Sequence, residues 1–66
     1  SAFERYVQTA PVAIEARDQD QVNRLHAIAL ANGGSDEGAP GPRGDGFYAG
    51  YFRDLDGNKF AAVFFG

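Results

Sequence analysis

The chain has 66 residues, enough for one domain only, and a domain of this size buries about 60% of the surface that its unfolded form exposes. It contains no Cys and one His, which excludes disulfides and thiolate metal sites, so association with a partner is the expected additional source of stability. A net charge of −3 without a Lys/Arg cluster argues against nucleic acid, and no apolar run is long enough to span a bilayer. With no Cys and no secretory leader, we expect a cytoplasmic protein.

Residues 1–10 carry little pattern and are predicted to be a linker-like segment, with the folded module occupying residues 11–66. Side-chain bulk then alternates over residues 12–16, which predicts a short strand. The strand has two faces, with Val12, Ile14 and Ala16 on one and Ala13 and Glu15 on the other.

A helix is predicted to follow this strand. Asp18 is a suitable N-cap, and Gln21 three residues later completes a capping-box pattern. Apolar residues recur at helical spacing, and the pattern ends at Gly33 and Gly34, because Gly tolerates the left-handed backbone of a helix end. The apolar stripe consists of Val22, Leu25, His26 and Ala29, widened by Ile28 and Leu30.

A loop and a β-hairpin are predicted for the rest of the chain. Residues 35–46 repeat Gly and Pro, which indicates a loop, with a short edge strand at its start as an alternative. Two apolar strands follow at residues 47–53 and 59–65, and Gly57 in the turn between them can supply the positive φ of a hairpin. The predicted register pairs Arg53 with Lys59, Phe52 with Phe60 and Tyr51 with Ala61.

This register gives the predicted sheet two apolar faces. The first face, which takes the helix, carries Val12, Ile14, Tyr48, Gly50, Phe52, Phe60, Ala62 and Phe64. The second face carries Ala13, Glu15, Phe47, Ala49, Tyr51, Ala61, Val63 and Phe65. Because one helix covers one face only, the second face is predicted to be uncovered in the single chain and to pack against a partner or bind a ligand.

Four stretches stand out in their order along the chain: PVAI at 11–14, LHAIALANGG at 25–34, GAPGPR at 38–43 and YAGYFRDLDGNK at 48–59. Together they resemble the second module of the glyoxalase/bleomycin-resistance/dioxygenase superfamily, also called vicinal oxygen chelate. The resemblance covers residues 11–65. It implies an α+β fold: a single βαβββ module, one helix on a mixed sheet, that pairs with a second module.

The resemblance also implies where a metal would bind. In the superfamily two modules enclose a cleft that usually holds a divalent metal, and the second module supplies a His at the start of its first strand and a Glu in its last. The corresponding residues here are Pro11 and Ala61, neither of which can coordinate a metal. The segment that often carries a His-Tyr pair reads RGDGF at 43–47 instead. We therefore expect no cofactor and no metal site from this chain.

The residues predicted to line the cleft are Ala13, Glu15, Phe47, Tyr51, Arg53, Ala61, Val63 and Phe65. Glu15 is either a metal ligand or general base, or a rim carboxylate paired with Arg17, Arg53 or Lys59. Tyr51 is either a hydrogen-bond donor to a ligand or a packed interface aromatic. Phe47, Val63 and Phe65 either line an apolar pocket or are buried against the partner. His26 is predicted to be structural, since no carboxylate or second His is spaced to join it.

Three functions are consistent with this pattern. The first is a module that binds a small molecule in a cleft between paired modules, without a metal site of its own, as in bleomycin-resistance-type members of the superfamily. The second is a fragment of a metal-dependent lyase or dioxygenase, similar to lactoylglutathione lyase, whose ligands come from a missing module. The third is a purely structural dimerisation module. Whether the chain is an enzyme is left open, and the expected partner is a second copy or another βαβββ module.

Overall fold

The computed structural model describes residues 12–44 and 46–65, which form one helix and a four-stranded mixed sheet. In chain order the elements are β1 (Val12–Glu15), α1 (Gln19–Ala31), β2 (Ser35–Arg43), β3 (Phe47–Arg53) and β4 (Lys59–Phe65). The strands lie in the order β1-β4-β3-β2, with β1 parallel to β4 and the other neighbours antiparallel. The predicted α+β class and βαβββ order are confirmed. The linker-like segment 1–10 and Pro11 lie outside the described residues.

The helix begins and ends at the predicted residues. Oδ1 of Asp18 accepts a hydrogen bond from the backbone N–H of Gln21 at 2.7 Å, and the Gln21 side chain accepts one from the backbone of Arg17 at 2.8 Å. At the other end, Gly33 adopts a φ of 92°, and its N–H donates to the carbonyl of Leu30. The N–H of Gly34 donates to the carbonyl of Ala29, which completes a Schellman motif and satisfies the last carbonyls of α1.

Residues 35–43 form an edge strand, so the predicted loop is wrong over most of its length. The pairing of β2 with β3 is irregular, with register shifts between Asp36 and Gly38 and between Gly38 and Gly41. Pro40 and Pro42 are tolerated because β2 lies at the edge of the sheet, where one side of its backbone faces no strand of the described residues. Gly and Pro here mark a bulged edge strand, not a loop.

The hairpin of β3 and β4 has the predicted register: Arg53 pairs with Lys59, Phe52 with Phe60 and Tyr51 with Ala61. Its turn is organised by Asp54, whose Oδ1 accepts hydrogen bonds from the backbone N–H groups of Asp56 and Asn58. Gly57 has the expected positive φ, 83°.

The core between helix and sheet is small. Val22 on α1 is completely buried and packs with Ala16, Phe52 and Ala62. The rings of Phe52 and Phe60 stack beside this cluster with centroids 5.5 Å apart. The first-face side chains of β3 and β4 belong to this cluster as predicted, whereas Val12 on β1 is 43% exposed and lies outside it. Within residues 12–44 and 46–65, no helix has the length and apolar character needed to cross a membrane.

Candidate functional site

The predicted second face exists as a continuous surface of the sheet. Register places Ala13 beside Ala61 and Glu15 beside Val63, and β3 contributes Tyr51 opposite Ala61. Because side chains alternate along each strand, these residues point away from α1. The register thus places Ala13, Glu15, Tyr51, Ala61 and Val63 on one face of the sheet, and their roles in lining a cleft and binding a ligand stay predictions.

The centre of the second face is buried within the single chain. Five of its side chains are at most 5% exposed and form one cluster: Phe47, Ala49, Tyr51, Ala61 and Val63. The prediction that this face is uncovered is therefore wrong for its centre. The prediction assumed that only α1 could cover a face of the sheet. These side chains are buried even though α1 packs on the opposite face.

One end of the second face stays exposed. Ala13 and Glu15 on β1 are exposed, and Phe65 at the end of β4 is 46% exposed. Glu15 pairs in register with Val63, and Phe65 follows two residues later on the same face, so the carboxylate and this ring flank the same end of the sheet.

Arg53 is held by structural contacts. Its Nε atom lies 3.2 Å from Oε1 of Glu37, and its Nη1 donates to the carbonyl of Gly57 at 2.7 Å. Within residues 12–44 and 46–65, the Glu15 carboxylate has no ion pair, so the alternative that pairs it with Arg17, Arg53 or Lys59 is not found. Of the two predicted charged cleft residues, Glu15 alone presents a charge that no described residue neutralises.

Arg43 is a residue of this region that the sequence analysis did not select. Its guanidinium lies over the ring of Tyr51, 5.4 Å from the centroid, and donates hydrogen bonds to the carbonyls of Gly41 and Ala39. The arrangement is a cation–π contact that places positive charge on the buried cluster. Assigning residues 35–46 to a loop concealed this contact, because loop residues have no defined face.

His26 is structural as predicted, but a carboxylate joins it, contrary to the reason given for that prediction. Its Nε2 atom lies 2.9 Å from Oδ1 of Asp36, and its ring meets Phe52 edge-on. The backbone N–H of Gly38 and the His26 side chain, both bonded to Asp36, hold the pKa of that carboxyl below its ordinary value of 3.8. His26 is 7% exposed and lies against the core, whereas the Asp36 side chain is about half exposed, and the pair links α1 to β2.

The residues present do not fit the divalent metal that the superfamily usually holds. Ala61 is completely buried and offers only a methyl group, and Pro11 lies outside the described residues. Within the described ranges there is no group of three or more His, Cys, Asp or Glu side chains that could hold an ion. Among the second-face residues of β1, β3 and β4, Glu15 alone carries a carboxylate.

Comparison with solved structures identifies the fold. A glyoxalase/bleomycin resistance protein from Albidiferax ferrireducens T118 superposes with a TM-score of 0.78 at 39% sequence identity, over 83% of this chain and 46% of that one. This chain folds as a glyoxalase-like βαβββ module. A hypothetical protein from S. aureus superposes on the glyoxalase-like module with a TM-score of 0.72 at 26% identity, over 80% of this chain and 46% of that one.

The glyoxalase-like module spans about half the length of the solved structures that it matches. No protein-family model matches its sequence, and no curated protein matches it. The resemblance to the glyoxalase/bleomycin-resistance/dioxygenase superfamily is thus confirmed at the level of the fold.

Proposed function

We propose that the chain is one half of a paired-module unit that binds a small molecule in the cleft between its two βαβββ modules. The observation that carries this proposal is how much of each protein takes part in the match. More than three quarters of this chain superposes on each of the two solved structures, but the match covers 46% of each of those structures. Each neighbour therefore has room for a second module of similar size.

The outer edge of β1, which pairs with no strand of residues 12–44 and 46–65, supports a joining surface between the two modules at this strand. The N–H of Ala16 donates to the carbonyl of Val63 on β4 at 2.7 Å. Because alternate residues of a strand in a parallel pair turn their backbone groups to that neighbour, the N–H and C=O groups of Ala13 and Glu15 face the other edge of β1. Val12 on this strand is 43% exposed, so the edge combines backbone groups open to pairing with an apolar side chain.

The exposed side chains of the second face lie at one end of it, so we place the proposed ligand contacts there. Ala13, Glu15 and Phe65 are the predicted cleft residues that are exposed in the single chain. A methyl group, a carboxylate and a phenyl ring suit a ligand with an apolar or aromatic body and one polar or cationic group. The buried members, such as Tyr51 and Val63, would reach a ligand only after displacement of whatever covers them.

A purely structural pairing module is the second candidate. The buried cluster of Phe47, Ala49, Tyr51, Ala61 and Val63 favours it, because side chains already covered in the single chain do not form an open pocket. The metal-dependent lyase or dioxygenase is supported less well, because Ala61 cannot serve as a ligand and Glu15 would have to act with groups from another module.

The test begins with pairing. Ala13→Pro removes an N–H that faces the free edge of β1 and leaves the bonds to β4 intact, whereas Ala13→Ser keeps that N–H at the same position. We expect light scattering to show a dimer for the wild-type chain and Ala13→Ser, and a folded monomer for Ala13→Pro. A wild-type chain that stays a monomer at every concentration, and that also fails to bind a co-expressed second βαβββ module, would contradict the proposal.

Ligand binding is then measured on the paired form. Small aromatic amines and aromatic acids are added in turn, and NMR records the amide signals. We expect the signals of Ala13, Glu15 and Phe65 to shift and that of Ala27, on the outer side of α1, to stay unchanged. Glu15→Gln should weaken binding of the amines but not of the acids. Pairing without any such shifts would select the structural module instead.

A further inference from the structure

We propose that Asn32 is a site of spontaneous deamidation and that the end of helix α1 controls its rate. The chain contains three Asn residues, at positions 23, 32 and 58, and only Asn32 is followed by Gly. Asn32 is exposed and caps the helix. Gly33 has no side chain to obstruct attack by its own backbone nitrogen, so Asn32 is chemically the most reactive of the three.

The reaction needs only water and base. The backbone nitrogen of Gly33 loses its proton and attacks Cγ of Asn32, so a C–N bond forms. The bond between Cγ and Nδ2 then breaks, ammonia leaves, and a succinimide ring remains. Water opens the ring at either carbonyl to give aspartate or isoaspartate. One water is consumed and one ammonia is released, and no atom changes oxidation state.

In the folded structure, both reacting groups, the Gly33 backbone N–H and the Asn32 side-chain amide, are hydrogen-bonded. The N–H of Gly33 donates to the carbonyl of Leu30 at 3.2 Å, and Nδ2 of Asn32 donates to the carbonyl of Ile28 at 2.7 Å. Ring closure requires both hydrogen bonds to break. The reaction therefore proceeds from a state in which the last turn of α1 is open, and its rate reports how often this turn opens.

Leu55 holds this end of the helix closed from the hairpin turn. A Cβ atom built on Gly33 would lie 2.6 Å from Cδ2 of Leu55, so the Leu55 side chain covers the Gly33 backbone. Leu55 is itself 77% exposed, which means that its removal takes little apolar surface out of the core. Leu55 is thus a contact that slows opening of the turn without contributing much to global stability.

The product changes the local electrostatics. Asn32 lines a groove of about 270 Å³ together with Asp54 and Asp56. Conversion to Asp or isoaspartate adds a third carboxylate at the negative end of the helix dipole, where negative charge is unfavourable. It also removes the amide donor that bonds to Ile28. Deamidation therefore weakens the helix end that protected Asn32, and a converted chain opens there more readily.

The test compares deamidation of the full chain in its native form and in urea, at mildly alkaline pH, by peptide mapping and mass spectrometry. We expect Asn32 to react faster than Asn23 and Asn58 in urea, and to react at least about tenfold more slowly in the native chain. Equal native and denatured rates would overturn the role of the helix end. Faster conversion of Asn23 or Asn58 in urea would overturn the site.

Two variants separate local control from global stability. Leu55→Ala should raise the native rate at Asn32 several-fold and leave the rate in urea unchanged. Ile28→Ala removes another exposed apolar side chain, 57% exposed on the same helix, that does not cover Gly33, and should leave both rates unchanged. If the two variants raise the native rate equally, or neither raises it, Leu55 does not control the opening.

Discussion

The Nε2 atom of His26 lies 2.9 Å from Oδ1 of Asp36, and this bond ties helix α1 to the edge strand β2. The same oxygen accepts the N–H of Gly38 at 2.9 Å, at the first register shift of β2. One carboxylate oxygen therefore fixes both the position of the helix and the start of the bulged part of the strand.

Replacing Asp36 should destabilise the chain. Asp36→Ala leaves the imidazole of His26, which is 7% exposed, without its hydrogen-bond partner, and an unsatisfied buried polar group opposes folding. We expect the midpoint of urea unfolding to fall. Asp56→Ala is the matched control, because the Asp56 side chain is exposed in the hairpin turn. Equal midpoints for the two variants would show that the bond contributes nothing.

Acid should unfold the chain through Asp36 and Asp54. The side-chain and backbone N–H groups of Asn58 hold the pKa of Asp54 below 3.8, as Gly38 and His26 do for Asp36. A carboxyl with a lowered folded-state pKa adds stability above its unfolded value of 3.8, and this stability is lost as pH falls through the folded value.

The corresponding measurement is the free energy of unfolding of wild type, Asp36→Asn, Asp54→Asn and Asp20→Asn as the pH is lowered from neutral. We expect the first two variants to lose less stability on acidification than wild type. Asp20→Asn, which changes an exposed carboxyl in the first helical turn, should follow wild type. Superposable curves for all four proteins would mean that other groups control the acid transition.

Truncation of Val22 should lower the stability of the chain strongly, and truncation of Val12 should lower it little. Val22 is completely buried between helix and sheet, and Val22→Ala should reduce the free energy of unfolding by about 2 kcal/mol. Val12 is 43% exposed at the edge of the sheet, and Val12→Ala should change it by less than about 0.5 kcal/mol in the monomer. Chemical denaturation measures both. A small effect at Val22 would mean that the core is not packed as described.

Gly34 should not tolerate a side chain. A Cβ atom at this position would lie 2.3 Å from the backbone oxygen of Arg53 and 2.8 Å from that of Ala29, and neither is a flexible group. Gly34→Ala should therefore cost about 1–3 kcal/mol. Gly44→Ala is the control, since no atom lies within 4 Å of the added methyl and the backbone has no positive φ there. Similar thermal unfolding of the two variants would contradict the close approach of α1 and β3.

The helix and the hairpin were predictable because nearby residues determine where they begin, end and turn. Asp18 and Gln21 begin α1, Gly33 ends it, and Gly57 sets the turn that fixes the register of β3 and β4. In each case a single side chain or a positive φ decides the structure within a few residues, so no tertiary information is needed.

Most of strand β2 was assigned to a loop, because its Gly and Pro residues are typical of loops and its pairing depends on β3, which no local pattern shows. That error hid a second feature. Asp36 pairs in register with Phe52 on the first face, so a strand at this position would have placed a carboxylate near His26. The burial of the second face was missed for a different reason, because sequence patterns show which side chains are apolar but not what covers them.

The two edges of the sheet differ in their capacity to recruit another strand. Along β2, two register shifts and the absence of N–H groups at Pro40 and Pro42 interrupt the row of donors that an incoming strand would need. The outer edge of β1 has no such interruption between Val12 and Glu15. An association through the β1 edge would therefore leave, among the described strands, an edge that resists further addition, so such an assembly would end with a pair and would not continue into a fibre.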